Sequence, residues 1–337
     1  MNTLSSLEIV EGKLTAEIHR EVERIVAGLP ADSSCLVTGS IIEGLGNKHS
    51  DIDVYVVHGS NAGANSIAVG LRESRYIDCE YMTVGTLEKV ASRIEDTSWR
   101  AFLDLPFSTL DRFYRVAIAV PARVTEPAAA VLGRFDRELG CRALANWSLL
   151  AAFGFTARGA CLLGEGSARE AGVLLRAAAL WRASSLLAVD GEGYPSRKWV
   201  AEKAARRFGR DSSCYRELVD EFLRPEGGPA DLLERLRTGL DVPAELHAVL
   251  GERRSALSDE VGLITGPDRD VLVRGRATVA EIGGVASAVC RALAAGSDWT
   301  AATAELADRL DVRPAEAAFA AWHETATLRS AGFLLTL

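Results

Sequence analysis

The sequence predicts an α+β protein in three parts: a domain mixing strands and helices over residues 1–121, an α-helical domain over 122–258, and a small C-terminal module over 266–337. Three observations lead there. At 337 residues the chain exceeds one domain of about 150 residues. Its first third interleaves β-branched runs with amphipathic stretches. Residues 126–223, in contrast, are rich in Ala, Leu and Arg at helical periodicity.

Taken in order, residues 7–28 read as a helix, with Leu7, Val10, Leu14, Ile18, Val22 and Ile25 near helical spacing, closed by Pro30. Cys35–Thr38, Ile52–Val57 and Tyr76–Thr83 carry the composition of strands. Gly59–Gly63 reads as a turn, and Ser66–Arg75 as a short helix or loop. Residues 84–104 return to helical spacing. Helices follow at 127–139, 142–156, 169–189 and 196–208, the last preceded by a break at Gly191, Gly193 and Pro195. A Pro/Gly loop and a helix fill 224–242. The C-terminal module starts near Gly266 with a strand at 271–273, then helices at about 279–295, 300–310 and 314–331. No internal repeat interrupts this order.

Composition narrows the function. Hydrophobic residues make up 48% and charged residues 25%, the balance of a globular protein with real cores. Acids outnumber bases 46 to 38, a formal net charge of −8, which argues against a general nucleic-acid-binding surface. No apolar run reaches the roughly 20 residues of a membrane helix, and the N-terminus lacks the pattern of a signal peptide. The six cysteines are scattered with no CxxC pair, which argues against a zinc site or disulfide scaffold and fits a reducing cytoplasm. Charge is uneven: residues 1–120 hold 17 acids and 11 bases, while 158–216 hold 11 bases and 6 acids. An acidic part followed by a basic one suits a metal–polyphosphate ligand.

The chemistry concentrates in Val37-Thr38-Gly39-Ser40 and, ten residues on, Asp51-Ile52-Asp53-Val54. Gly39 permits close backbone approach, and Ser40 with nearby N–H groups can hold a phosphate oxygen. Asp51 and Asp53 alternate on a strand and so share a face. Side-by-side carboxylates repel unless a cation lies between them, and Mg²⁺ is the hard ion that shares oxygen ligands with phosphates. Ile77-Asp78-Cys79-Glu80-Tyr81 supplies a third carboxylate. Asp78 is the first choice and Glu80 the alternative, to complete the metal site and to accept a proton from an attacking group.

This segment resembles the nucleotidyltransferase superfamily of DNA polymerase beta, whose signature is Gly-Ser, a spacer, then Asp-x-Asp. In layout it is most similar to antibiotic nucleotidyltransferases of the kanamycin and streptomycin type. The resemblance spans residues 20–115. It implies a mixed sheet flanked by helices, Mg²⁺, and transfer of a nucleoside monophosphate from an NTP, ATP first among them, with Gly39 and Ser40 on the triphosphate and Asp51, Asp53 and Asp78 on metal. The spacer 41–50 departs from the pattern: it lacks the Arg that follows Gly-Ser in several members, with Lys48 as the candidate substitute.

A second stretch, Tyr194-Pro195-Ser196-Arg197-Lys198-Trp199, begins a helix that continues through Lys203, Arg206 and Arg207. Similar Pro-x-x-Lys-Trp helix starts occur in the helical domains of the antibiotic enzymes. The match implies that Lys198 reaches the triphosphate, with Lys203 on a neighbouring face; Trp199 reads as a core anchor. The C-terminal module resembles a winged-helix-type unit and the small leader-peptide-binding domains of ribosomal peptide biosynthesis. It holds acids and bases in near balance, which argues against DNA.

The expected partners are therefore an NTP and a small-molecule acceptor carrying a hydroxyl or amine. A peptide acceptor gripped by the C-terminal module is the enzymatic alternative, and a nucleotide-binding regulator with a degenerate site is the non-enzymatic one. His49 reads as a surface polar residue, His19 and His323 as structural or exposed, and Cys79, Trp147 and Trp181 as core.

Overall fold

The structure, a computed structural model, describes residues 16–336 apart from 48, 60–65, 73–74, 222–226, 267–268 and 276–277. It is α+β, with a mixed sheet and many helices. The chain divides into two compact units, one of residues up to Trp147 with Ser184–Tyr215, the other of Ser148–Ala183 with Arg216–Leu337. This division by compactness differs from segments ending at 121 and 258.

The first unit is organised by one sheet. Its elements are α1 (Ala16–Gly28), β1 (Ser33–Thr38), the single turn α2 (Gly39–Ile42), β2 (Ile52–His58), β3 (Ser66–Arg72), β4 (Arg75–Thr83), α3 (Val84–Glu95), α4 (Trp99–Leu103), α5 (Phe107–Ala117), β5 (Val120–Arg123) and α6 (Glu126–Leu132). The long helices α7 (Arg137–Gly164) and α8 (Ala168–Val189) contribute residues to both units. A 3₁₀ turn (Arg197–Trp199), α9 (Val200–Phe208) and the single turn α10 (Ser213–Tyr215) complete it.

The strand order is β3-β4-β2-β1-β5. β2 and β4 run parallel; the other neighbours are antiparallel. Because alternate side chains leave a strand on opposite faces, Cys35, Val37, Ile52, Val54, Val56, Ile77 and Cys79 form one apolar face, and α1 covers it with Ile18 and Val22. Each buried side chain of this kind contributes about 1.5–3 kcal/mol. α3 starts where Thr83 Oγ1 accepts from the Thr86 N–H at 3.2 Å, satisfying one free donor of its first turn.

Two expectations are corrected. Ser66–Arg72 is the edge strand β3, not a helix or loop; its Ile67, Val69 and Leu71 alternate at strand spacing, all more than half exposed. The predicted helix 142–156 is the middle of the single helix α7. By length and composition alone α7 and α8 are also long and apolar enough to cross a membrane, although no uninterrupted apolar run announces them. Of each qualifying window, 56% is buried inside the protein, as in core helices.

The second unit adds a π-type turn (Arg216–Glu221), α11 (Pro229–Gly239), α12 (Ala244–Glu252), β6 (Ser255–Leu257), β7 (Val261–Ile264), β8 (Asp270–Arg274), β9 (Thr278–Ile282), α13 (Gly284–Ala294), α14 (Trp299–Leu310), α15 (Pro314–Glu324), α16 (Ala326–Ser330) and β10 (Leu334–Thr336). β7, β8 and β9 form an antiparallel sheet, and β10 pairs with β6. The expected strand at 271–273 is its central strand; β7 is additional, and β9 takes the first residues of the helix expected at about 279–295, which starts only at Gly284. Leu272, Ile282, Cys290, Leu328 and Phe333 make its core. Asp270 is fully buried, held by Arg291 at 2.6 and 2.8 Å and by Ser287.

Candidate active site

Strand register assembles the site. Thr38 of β1 pairs with Asp53 of β2, and Asp53 pairs with Asp78 of β4, so the end of β1 and the two carboxylates stand in one row on one face. Asp51, two residues before Asp53, lies just outside β2. Asp51, Asp53 and Asp78 line a single cavity of about 460 Å³ with Ser40, Asn47, His49, Ser50, Arg115, Tyr194, Ser196, Lys198 and Trp199. Every one of these residues belongs to the first unit.

The turn after β1 is built around Gly39. Its φ is +88°, a backbone region that L side chains rarely adopt, and a Cβ there would overlap the Asp53 carboxylate. Asp53 therefore packs against the glycine backbone, an approach only glycine permits. The Ser40 carbonyl accepts from the Leu45 and Gly46 N–H groups at 2.9 and 2.7 Å, which folds the following loop back on the turn. α2 itself has four residues, too short for the helix-terminus phosphate site expected there. What remains for an anion is the turn and the Ser40 side chain.

Arg115 is the residue that sequence reading missed. It lies on α5, which packs on the face opposite α1. Its Nη1 donates to Asp53 Oδ1 at 3.0 Å, and its Nε pairs with Asp111, one helical turn earlier, at 3.0 Å. Its guanidinium also lies 5.8 Å from the centre of the Tyr194 ring. Burial opposes its charge, but Asp111, Tyr194 and Asp53 outweigh burial and hold its pKa above the ordinary arginine value. The signal available in sequence was the Asp111–Arg115 spacing of four, a helical ion pair.

The carboxylates strain against one another. Burial raises the pKa of Asp53; Arg115 pulls it down, and Asp78 and Asp51 push it up again. Asp78 is raised by burial and by Asp51, with Arg115 opposing. Glu80 is placed elsewhere. It pairs in register with Tyr55, one pleat beyond the Asp53–Asp78 pair, and forms an ion pair with Arg112 outside the cavity. Of the two candidates for the third carboxylate, Asp78 is the one the sheet brings to Asp51 and Asp53.

The second predicted stretch divides. Lys198 is exposed and lines the cavity, its Nζ 5.2 Å from the Trp199 ring centre. Trp199 lines the same cavity, and also packs against a small cluster of Leu45, Tyr114, Cys141 and Tyr194. Lys203 is a correction. It is fully buried and donates to the Tyr194 carbonyl at 2.8 Å. Burial pushes its pKa down to about 8. It braces the Tyr194–Trp199 segment from behind instead of facing a phosphate. Lys48 lies outside the described residues.

Buried Glu43 anchors the loop after the Gly-Ser turn. It accepts from Arg137 and Arg206 at 3.0 and 3.1 Å, and Arg206 also donates to the Glu43 carbonyl at 2.7 Å. Arg206 is thereby committed to Glu43 and Glu192.

The donor set suits a hard divalent cation: three carboxylates at one wall, two of them raised partly by mutual repulsion. Their charge exceeds that of the cations Arg115 and Lys198 that share the cavity. A polyphosphate entering it needs a cation to accompany it. Among the described residues, no three His, Cys, Asp or Glu side chains already stand as a cage. One Asp53 oxygen is engaged by Arg115 instead.

No protein-family profile matches the chain, and no curated protein matches it. Among solved structures it is similar to a nucleotidyltransferase-like protein from Exiguobacterium sibiricum, at 13% identity and a TM-score of 0.38, over 68% of this chain and 74% of that one. The functional reading accordingly rests on the residues of the cavity.

Proposed function

We propose that the chain is a cytoplasmic, Mg²⁺-dependent nucleotidyltransferase that moves a nucleoside monophosphate from an NTP, ATP first among them, to a hydroxyl or amine of a small-molecule acceptor. The observation that carries this reading is the convergence of Ser40, Asp51, Asp53 and Asp78 at one cavity through the β1–β2–β4 register, with Gly39 packed behind Asp53. Asp51, Asp53 and Asp78 would hold the metal. Bound there, Mg²⁺ would neutralise phosphate oxygens and make the α-phosphorus more electrophilic.

The chain's own residues supply positioning and proton transfer. Ser40 and the Gly39 turn offer hydrogen bonds to the triphosphate, and Lys198, exposed at the same cavity, adds a positive charge. Asp78, with its raised pKa, is suited to accept the proton of the attacking hydroxyl or amine. The acceptor forms its bond to the α-phosphorus as the bond to the bridging oxygen breaks, and that electron pair leaves with pyrophosphate. The cavity's excess of carboxylates favours a cationic acceptor, such as an amine-bearing metabolite.

The test is a screen of aminated and hydroxylated metabolites with each NTP and Mg²⁺, read by pyrophosphate release and by mass spectrometry. An acceptor gaining the mass of one nucleoside monophosphate, with wild type and not with Asp51→Asn, supports the reading. Pyrophosphate formation that Asp51→Asn leaves intact contradicts it.

A further inference from the structure

We propose that Arg115 is a resident stand-in for the metal: its guanidinium occupies Asp53 until a divalent cation displaces it, and the released N–H groups then turn to the incoming polyphosphate. The inference rests on the nucleotidyl-transfer reading and adds an order and a coupling to it.

The geometry gives the guanidinium two unequal holds. Nε is tied to Asp111 on the same helix, one turn away, and that tie lies outside the carboxylate row. Nη1 is tied to Asp53, inside the row. Loss of the second tie leaves the first in place, so the group stays at the cavity wall with free donors. Arg115 and Asp53 both line the cavity, so the donors have a ligand to meet. The backbone carbonyl of Arg115 accepts from Thr38 Oγ1, which fixes α5 to the end of β1 whatever the side chain does.

A positive charge already neutralises the central carboxylate of the row. A divalent cation alone must compete with that charge. A cation arriving with polyphosphate gives the displaced guanidinium a new anionic partner. Metal and polyphosphate therefore bind with positive coupling, and linkage makes the coupling equal in both directions. Arginine suits this role because its planar fork can serve a carboxylate and a phosphate in turn.

The experiment measures Mn²⁺ binding by calorimetry, alone and with inorganic tripolyphosphate, in wild type, Arg115→Ala and Arg115→Lys. It uses the full chain, with circular dichroism as the check on folding. Wild type is expected to bind Mn²⁺ weakly alone and at least tenfold more tightly with tripolyphosphate. Arg115→Ala is expected to move the two affinities in opposite directions: Mn²⁺ alone tighter by roughly fivefold, Mn²⁺-tripolyphosphate weaker by roughly tenfold. Arg115→Lys, which keeps the charge without the fork, should fall between. A merely structural arginine would weaken both in step with the melting temperature, and that result, or an unchanged Mn²⁺ affinity in both variants, overturns the proposal alone. Wild type that binds neither Mn²⁺ nor its tripolyphosphate complex overturns the nucleotidyl-transfer reading as well.

Discussion

Gly39→Ala separates the demand of the site from the demand of the backbone. Gly39 has φ +88° and Gly191 has φ +85°. A Cβ at Gly191 meets nothing within 4 Å, while one at Gly39 overlaps Asp53. Both substitutions carry the left-handed backbone penalty of about 1–2 kcal/mol. Only Gly39→Ala must also move the Asp53 carboxylate, which breaks its hydrogen bond to Arg115, an interaction of about 1.5–3 kcal/mol. The expected losses of stability are therefore about 1–2 kcal/mol for Gly191→Ala and about 2.5–5 kcal/mol for Gly39→Ala. Urea titration of the two variants measures the difference. Calorimetry with Mg²⁺ and each NTP measures its consequence: Gly191→Ala binds as wild type, and Gly39→Ala loses at least tenfold. Equal stabilities, or wild-type NTP binding by Gly39→Ala, would refute the claim that the Gly-Ser turn exists to seat Asp53.

Three further outcomes follow from the charges. Asp78 has a raised pKa in the folded protein, so the stability it confers when protonated is lost as pH rises through that pKa; Asp78→Asn should raise the melting temperature at pH 7.5, with the gain shrinking as pH falls through the raised pKa and gone below the ordinary 3.8, while abolishing transfer. Lys203 titrates near 8 when folded against 10.5 ordinarily, so the unfolded chain binds the extra proton between them; wild-type stability should climb by on the order of 3 kcal/mol from pH 8 to 10.5, relative to the flat reference of Lys203→Met in denaturant titrations. Lys198→Ala should weaken NTP binding by roughly tenfold, less at high salt because the side chain is exposed, and leave stability unchanged.

The carboxylate row was legible because its signal is local. Asp51 and Asp53 alternate in a strand whose apolar residues mark it, and Asp78 repeats the pattern in β4. Asp78 was already the first choice over Glu80, and the β2–β4 register, which no local pattern encodes, sets it beside Asp53. Arg115 was out of reach for the same reason: α5 carries it to Asp53 across 62 residues of sequence. Lys203 could have been read better. It follows Val200 by three and precedes Ala204, both buried, and so lies on the inward stripe of α9. β3 was masked by its Gly, Ser and Ala, although Ile67, Val69 and Leu71 keep the two-residue period. β7 and β9 have four and five residues, too few for periodicity to declare them.

The most direct test of the central claim is calorimetric titration of ATP, GTP, CTP and UTP, each with and without Mg²⁺, into wild type and Asp53→Asn, since it requires no knowledge of the acceptor. Metal-dependent binding of at least one NTP by wild type, weakened at least tenfold in Asp53→Asn, is the predicted result. Absence of binding by all four, or binding indifferent to both Mg²⁺ and Asp53, would contradict the account and favour a degenerate nucleotide-binding regulator or an unrelated ligand.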